Sequence, residues 1–477
     1  MQHKTESISN YVKAHLLNIQ NIKTPTTFES VRAFVYIIAV SLAALGYNYI
    51  YQLSTAYYVM FLVFVGVSLS ILLHLIRMDI KRNIIYIFAM TSWMYYNSLG
   101  FIHSAIIETQ RGQTLKFGIE IYLLLIIATI IISISMLSTK GAFTTGFSFL
   151  KNYRLPRGTL FFIFTVSLLL DLYKIHIAGG LNAYIFAPYG AKAESGLLTF
   201  FNLTQSIFNN IALLALPYIV GDCNKSTKAI CILFLTYKMA FGAISGSSAS
   251  LLGPLVCTYI FAYYAGISNK AKIKLKKYTI VLAVVAVIAG MFIRTNRKSF
   301  ENASIESFEI KNAFDEIMES PTFDNIVNLN TIIDKIQPVY IPEQLILPFI
   351  HFLPRSVFTW KPIELGRIIG YKFIGTTEDS MAGFITTPIG EFYYDYGFMG
   401  VIIGLIFIGL SLGYIQEKLN ATKGHPLFIW SVIVVTATKT SSLSAWYTGC
   451  YKNLVNLAII IVLILVLNTF FKPIKTK

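Results

Sequence analysis

Apolar segments of about twenty residues recur along almost the whole chain, and this recurrence decides which folds are possible. A hydrocarbon core about 30 Å thick requires roughly twenty apolar residues per helix, so each segment is long enough to cross a bilayer. Of the 477 residues, 55% are hydrophobic and 13% are charged, and we expect no separate soluble domain. We therefore predict an all-α polytopic membrane protein of about twelve transmembrane helices. The predicted spans are 31–50, 55–76, 83–106, 117–138, 158–178, 199–220, 228–245, 250–267, 278–293, 395–415, 427–445 and 453–471.

The basic residues predict the orientation of these spans. The net charge is +16, but the lysines and arginines lie in short clusters between apolar segments, which indicates topology rather than nucleic-acid binding. Because basic clusters favour the cytoplasmic side, we place both termini in the cytoplasm. The predicted organisation is a cytoplasmic amphipathic N-terminus at 1–30, helices one to nine within 31–293, a large loop at 294–394, helices ten to twelve within 395–471, and a cytoplasmic tail at 472–477. The alternative for 1–30 is a leader without a helix on the membrane surface.

The orientation puts the large loop on the extracytoplasmic side. Two stretches of it, 304–320 and 323–337, carry apolar residues at helical spacing and are each followed by a proline. A third stretch, 339–358, is apolar enough for a thirteenth span but contains three prolines, which break helices. Spanning there would also move the basic C-terminal segments outside, so we predict a re-entrant or interfacial segment. We expect the loop to be helical and packed.

Five cations of the predicted outer side are candidate ligands for a diphosphate. Arg294 and Arg297 lie where the ninth span ends, and Arg355, Lys361 and Arg367 lie beside the predicted re-entrant segment. The guanidinium group donates hydrogen bonds in a fork that matches diphosphate oxygens, whereas an ammonium acts as a point charge. The alternatives are interfacial snorkelling for the first cluster and structural ion pairs for the second.

Two carboxylates four residues apart are candidates for acid–base chemistry. Glu391 and Asp395 share one helical face at the mouth of the tenth span, and His351 is a third candidate for a base that accepts a sugar hydroxyl proton. The alternative is that the carboxylates favour the positive end of a helix dipole. Tyrosines nearby are typical of membrane interfaces and are equally suited to contact sugar rings. The residues that we expect to contact a glycan are Tyr393, Tyr394, Trp360 and Lys192.

Charged residues within predicted spans are a further group of functional candidates. Lys238 lies in the seventh span, and Asp171 with Lys174 lies late in the fifth, where the two can neutralise each other. The four cysteines show neither metal-ligand nor disulfide spacing. No diacid of the kind that ligates a divalent ion occurs in the predicted outer loops, so we predict no metal and no cofactor.

Two stretches resemble the Wzy-type O-antigen and capsular repeat-unit polymerases. They are Arg355…Trp360-Lys361-Pro362…Gly366 and Gly390-Glu391-Phe-Tyr-Tyr-Asp-Tyr-Gly397-Phe-Met-Gly400. The resemblance covers the topology of the whole chain but only these two stretches in residues. It implies a C-type glycosyltransferase-like architecture in a bacterial cytoplasmic membrane, with outer-loop arginines holding a diphosphate. The implied activity moves a growing glycan from undecaprenyl diphosphate to the terminal sugar of the next lipid-linked repeat unit.

The resemblance also implies partners and leaves alternatives open. The implied substrate is an undecaprenyl-diphosphate-linked oligosaccharide within membrane lipid, and the implied protein partners are a chain-length regulator and a flippase. An O-antigen ligase, which passes the glycan to a lipid core, is one alternative. A flippase or other transporter is a second, although transporters usually show two similar halves, whereas this chain has its largest loop in the second half.

Overall fold

A computed structural model describes residues 27–111, 118–142, 157–177, 179–181, 224–244, 323–350, 358–374, 386–421 and 451–470. Every regular element in these ranges is helical. In chain order the α-helices are α1 Thr27–Gly46, α2 Thr55–Asp79, α3 Ile84–Arg111, α4 Ile119–Ser138, α5 Arg157–Ile177, α6 Lys225–Ile244, α7 Asn325–Lys335, α8 Glu343–Ile350, α9 Leu365–Ile369, α10 Pro388–Ala421 and α11 Tyr451–Phe470. A π-helical turn extends α1 through Tyr47–Tyr51, and another, Gly370–Ile374, follows α9.

Several of these helices are long and apolar enough to cross a membrane. Within the described ranges the segments that meet this condition are Val31–Tyr51, Thr55–Asp79, Ile119–Ser138, Arg157–Ile177 and Pro388–Ala421. Large apolar side chains remain exposed along them, as expected of helices that face lipid. The chain is therefore a helical membrane protein. Helices α3, α6 and α11 also lie where spans are predicted, and the total of about twelve spans stays a prediction.

Helix α10 packs against α4 at two glycines. A Cβ atom added at Gly409 would lie 2.7 Å from the carbonyl oxygen of Ile132, and one added at Gly413 would lie 2.8 Å from the Cβ of Thr139. Both distances are too short for real contacts, so only glycine permits this approach of the two backbones. The spacing is the small-xxx-small pattern that brings membrane helices together.

Helix α7 of the predicted outer loop packs between α3 and α10. A helix thus lies where the spacing within 323–337 predicts one, and Ile326, Leu329 and Ile332 on its buried face join the apolar contacts. Gly390 of α10 gives room for this packing, because a Cβ atom there would lie 2.7 Å from Cδ1 of Ile332. The expectation of a packed rather than loose segment is confirmed for α7.

Polar contacts also tie α7 to α3. Nε2 of the buried His103 lies 2.6 Å from Oδ1 of Asp324, the residue that precedes α7. Nδ2 of Asn325 donates to Oδ1 of Asn97 over 3.2 Å, and both side chains are buried. Buried polar groups are stable only with such partners. The segment is therefore held to α3 in one register.

Candidate functional site

Helix α10 begins seven residues before the span predicted at 395–415. Thr387 precedes the helix, and its Oγ1 accepts a hydrogen bond from the amide of Gly390 over 3.2 Å, which is the usual contact of an N-cap residue. Pro388 occupies the first helical position, where its missing amide hydrogen costs nothing. The stretch that resembles the polymerases therefore forms the first turns of α10, up to a kink at Gly397.

The two candidate carboxylates of α10 are both buried but contact different segments. Oε1 of Glu391 accepts a hydrogen bond from the hydroxyl of Thr386 over 3.0 Å. Asp395 uses both oxygens: Oδ1 accepts the amide of Gln344 over 3.0 Å, and Oδ2 accepts the amide of Leu345 over 3.1 Å. Asp395 therefore connects the start of α8 to α10 through two hydrogen bonds.

The aromatic residues predicted to contact a glycan divide into packed and exposed side chains. Tyr394 is buried, and its hydroxyl donates to Oε2 of Glu343 over 3.0 Å. Tyr393 is half-buried, with its hydroxyl 3.5 Å from the carbonyl oxygen of Ile333. Trp360 is 63% exposed. Of these three aromatic residues, Trp360 offers the most accessible ring surface for a sugar.

The structure brings one predicted diphosphate ligand into the packing around the start of α10. Arg367 is half-buried and lies on α9, whose apolar residues pack against α7 and Tyr394. Lys361 is also half-buried, and its amide donates to the carbonyl of Phe358 in a turn that precedes α9. The apolar cluster comprises Ile332, Ile336, Leu365, Ile368, Ile369 and Tyr394.

The remaining predicted site residues lie outside the described residues. They are Arg294, Arg297, Arg355, His351 and Lys192. Their assigned roles stay predictions, as does the re-entrant path of 339–358, within which the structure describes α8.

Sequence reasoning missed the residues that connect the loop to α10. Gln344 is fully buried between α8, α9 and α10, and Thr386 and Glu343 bond to residues of the predicted site. The run Pro342-Glu343 does carry a helix-start signal, since proline and an acidic residue both favour the first turn. No local pattern indicates that Gln344 turns inward.

The charges within predicted spans form a contact between two helices. The buried Lys238 of α6 forms an ion pair with the buried Asp171 of α5, and the hydroxyl of Tyr237 donates to Oδ2 of Asp171 over 3.0 Å. Asp171 thus has a partner 67 residues away in the sequence, in addition to the nearby Lys174 considered from spacing. Such paired charges are the form in which ions are tolerated within a membrane.

Within the described ranges, no group of three or more His, Cys, Asp or Glu side chains is arranged to hold a metal ion. The prediction that the chain needs no metal or cofactor remains a prediction. Comparisons of the chain with protein-family models, with curated proteins and with solved structures find no match. The functional assignment therefore depends on the residues of the chain itself.

Proposed function

We propose that the chain is a polysaccharide polymerase that joins undecaprenyl-diphosphate-linked repeat units at the outer face of the bacterial cytoplasmic membrane. The observation that carries the proposal is the packing of the loop segment 358–374 onto the start of α10, through Gln344 and the apolar cluster around Tyr394. This packing places a segment with Lys361 and Arg367 together with a helix start that holds Glu391 and Asp395. Cations and carboxylates are the two groups that the reaction requires.

The reaction is substitution at an anomeric carbon. A hydroxyl oxygen of the acceptor sugar forms a bond to the anomeric carbon of the growing glycan, and the bond from that carbon to the diphosphate oxygen breaks. Undecaprenyl diphosphate leaves with the electron pair, and the hydroxyl proton passes to a base. Preorganised cations stabilise the departing negative charge, which is usually the largest contribution to catalysis. The proton acceptor must lie within hydrogen-bond reach of the hydroxyl.

The roles follow from side-chain chemistry. Arg294, Arg297, Arg355 and Arg367 are assigned to the diphosphate because arginine matches its oxygens with paired donors, and Lys361 is assigned there as a point charge. Glu391, Asp395 and His351 are the candidates for the base, and the exposed Trp360 is the leading candidate for contact with the glycan, alongside Tyr393, Tyr394 and Lys192. No metal is assigned to the reaction.

Deletion of the gene tests the proposed function directly. Surface glycan from the deletion strain is separated on a gel beside glycan from the wild type and from a complemented strain. Loss of the long-chain ladder with single repeat units still attached is the result expected of a polymerase. Absence of any attached repeat unit would indicate a ligase or a flippase, and an unchanged ladder would exclude a role in this glycan.

Complementation with arginine variants tests the assigned ligands. We expect Arg355→Lys and Arg294→Lys to abolish chain extension at normal protein levels, because lysine cannot donate two parallel hydrogen bonds to a diphosphate. Arg82→Lys is the matched control, since Arg82 is exposed in the short 3₁₀ turn Lys81–Asn83 between α2 and α3, in a loop predicted to be cytoplasmic. Normal ladders from both Arg355→Lys and Arg294→Lys would overturn the diphosphate assignment.

A further inference from the structure

The side chain of Asp395 accepts the N-capping hydrogen bonds of a helix that lies far from it in the sequence. Helix α8 begins directly after Pro342, whose side chain has no hydrogen-bond acceptor for the free amides of the first turn. The amides of Gln344 and Leu345, at the second and third helical positions, donate to Asp395 instead. These are the two positions that an N-cap side chain normally serves. The cap comes from α10, so the contact both completes α8 and fixes it in place.

Gln344 extends this connection to α9. Its Nε2 donates to the carbonyl oxygen of Ile363 over 2.9 Å, and its Oε1 accepts the amide of Leu365, the first residue of α9, over 3.0 Å. Gln344 and Asp395 are both fully buried. An unbroken chain of hydrogen bonds therefore runs from the carboxylate of Asp395 to the first turn of α9.

Helix α9 depends on contacts of this kind for its position. It is five residues long, and isolated helices of that length are not stable in water. Its apolar residues pack against Ile332, Ile336 and Tyr394, while the hydrogen bonds of Gln344 fix where the helix begins. Arg367 lies in the middle of this short helix. Its place is therefore set by groups on α7, α8 and α10.

We infer that Asp395 and Gln344 are positioning residues, which hold α9 and thereby Arg367 at the start of α10. The part of this inference that concerns Arg367 as a diphosphate ligand rests on the proposed polymerase function. Asp395 then serves as a buried hydrogen-bond acceptor, and the proton of the acceptor sugar is taken by another group. The other two candidates for that role are Glu391, on the same face of α10, and His351.

Hydrogen–deuterium exchange on the purified full chain tests the positioning directly. The amides of residues 344, 345 and 365 are protected by the contacts described above, so Asp395→Ala is expected to speed exchange at 344 and 345. Gln344→Met keeps the side-chain volume but removes both of its hydrogen bonds, and it is expected to speed exchange at 365. Loss of a buried hydrogen bond corresponds to about a 5- to 150-fold rise in the exchanging population.

Asp334→Ala is the matched control for exchange, because it removes an exposed carboxylate from α7. Exchange at 344, 345 and 365 should be the same in this variant as in the wild type. Unchanged exchange in both Asp395→Ala and Gln344→Met would overturn the inference. If Asp395→Ala fails to fold, Gln344→Met alone decides the connection to α9.

Chain extension in the complemented deletion strain separates a positioning role from a catalytic one. Asp395→Asn keeps one acceptor oxygen and should retain part of the ladder that Asp395→Ala loses. A base cannot be replaced by an amide, so equal and complete loss in both variants at normal protein levels would overturn the positioning role. If the wild-type gene itself restores no ladder, the proposed function fails, while the exchange result still decides whether Asp395 and Gln344 hold α9.

Discussion

Gly397 provides the sharpest test of the backbone path at the start of α10. Its φ of 65° and ψ of −157° lie outside the helical region, and they place a kink between the turns that contact the loop and the rest of the span. This combination of angles is essentially restricted to glycine. A Cβ atom at this position would lie 3.5 Å from Cγ of Pro338, which is an ordinary contact distance. The cost of Gly397→Ala is therefore conformational and not steric.

A residue forced into this region costs on the order of 1–3 kcal/mol, so Gly397→Ala should lower the free energy of unfolding by about that amount. Gly66→Ala is the matched control. Gly66 lies within α2, and nothing stands within 4 Å of the position its Cβ would take. Alanine there should raise stability by roughly 0.5–1 kcal/mol, because glycine is the poorer helix former.

The assay is unfolding of the purified chain by SDS in mixed detergent micelles, followed by tryptophan fluorescence. The two variants should move the transition in opposite directions, with Gly397→Ala unfolding at lower SDS. Equal or greater stability for Gly397→Ala would refute the kink. If Gly66→Ala lowers the free energy of unfolding as much as Gly397→Ala does, the effect is not specific to the backbone conformation at Gly397.

Three further predictions concern contacts between helices. The same unfolding assay measures the first two, and protease cleavage measures the third. Lys238→Met leaves the buried Asp171 without its ion-pair partner and should cost about 3–5 kcal/mol, whereas the double variant with Asp171→Leu should regain most of this. Gly413→Leu should cost about 1–3 kcal/mol, because Thr139 occupies the added volume. Asp324→Ala should weaken the attachment of α7 to α3, and protease cleavage within 323–337 should become faster than in Asp334→Ala. Unaltered unfolding or cleavage would contradict the corresponding contact.

Within the part of the chain that the structure describes, hydropathy and helical spacing predict the helices well, because both depend on local sequence. The apolar segments become α1, α2, α4 and α5, and the spacing within 323–337 becomes α7. The start of α10 is where the structure differs from the predicted span. A hydropathy window begins where the polar residues end, whereas Thr387 and Pro388 carry the helix-start signal seven residues before the predicted span.

Contacts between distant residues could not be predicted in the same way. Glu391 and Asp395 are recognisable as a pair four residues apart, but nothing local shows that Asp395 caps a helix 51 residues away in the sequence. Similarly, the spacing of Asp171 suggests Lys174 as its partner, while the packing of α5 against α6 brings Lys238 to it. The selection of a hydrogen-bond partner depends on tertiary packing, so Gln344 gave no signal in the sequence.

The polymerase assignment is tested most directly by reconstitution. The purified chain is placed in liposomes with undecaprenyl-diphosphate-linked repeat units taken from the deletion strain, and the lipid-linked products and free undecaprenyl diphosphate are measured. We expect a ladder of lipid-linked oligomers, with one undecaprenyl diphosphate released for each new glycosidic bond. Repeat units that remain single, in the presence of correctly folded wild-type protein, would contradict the assignment.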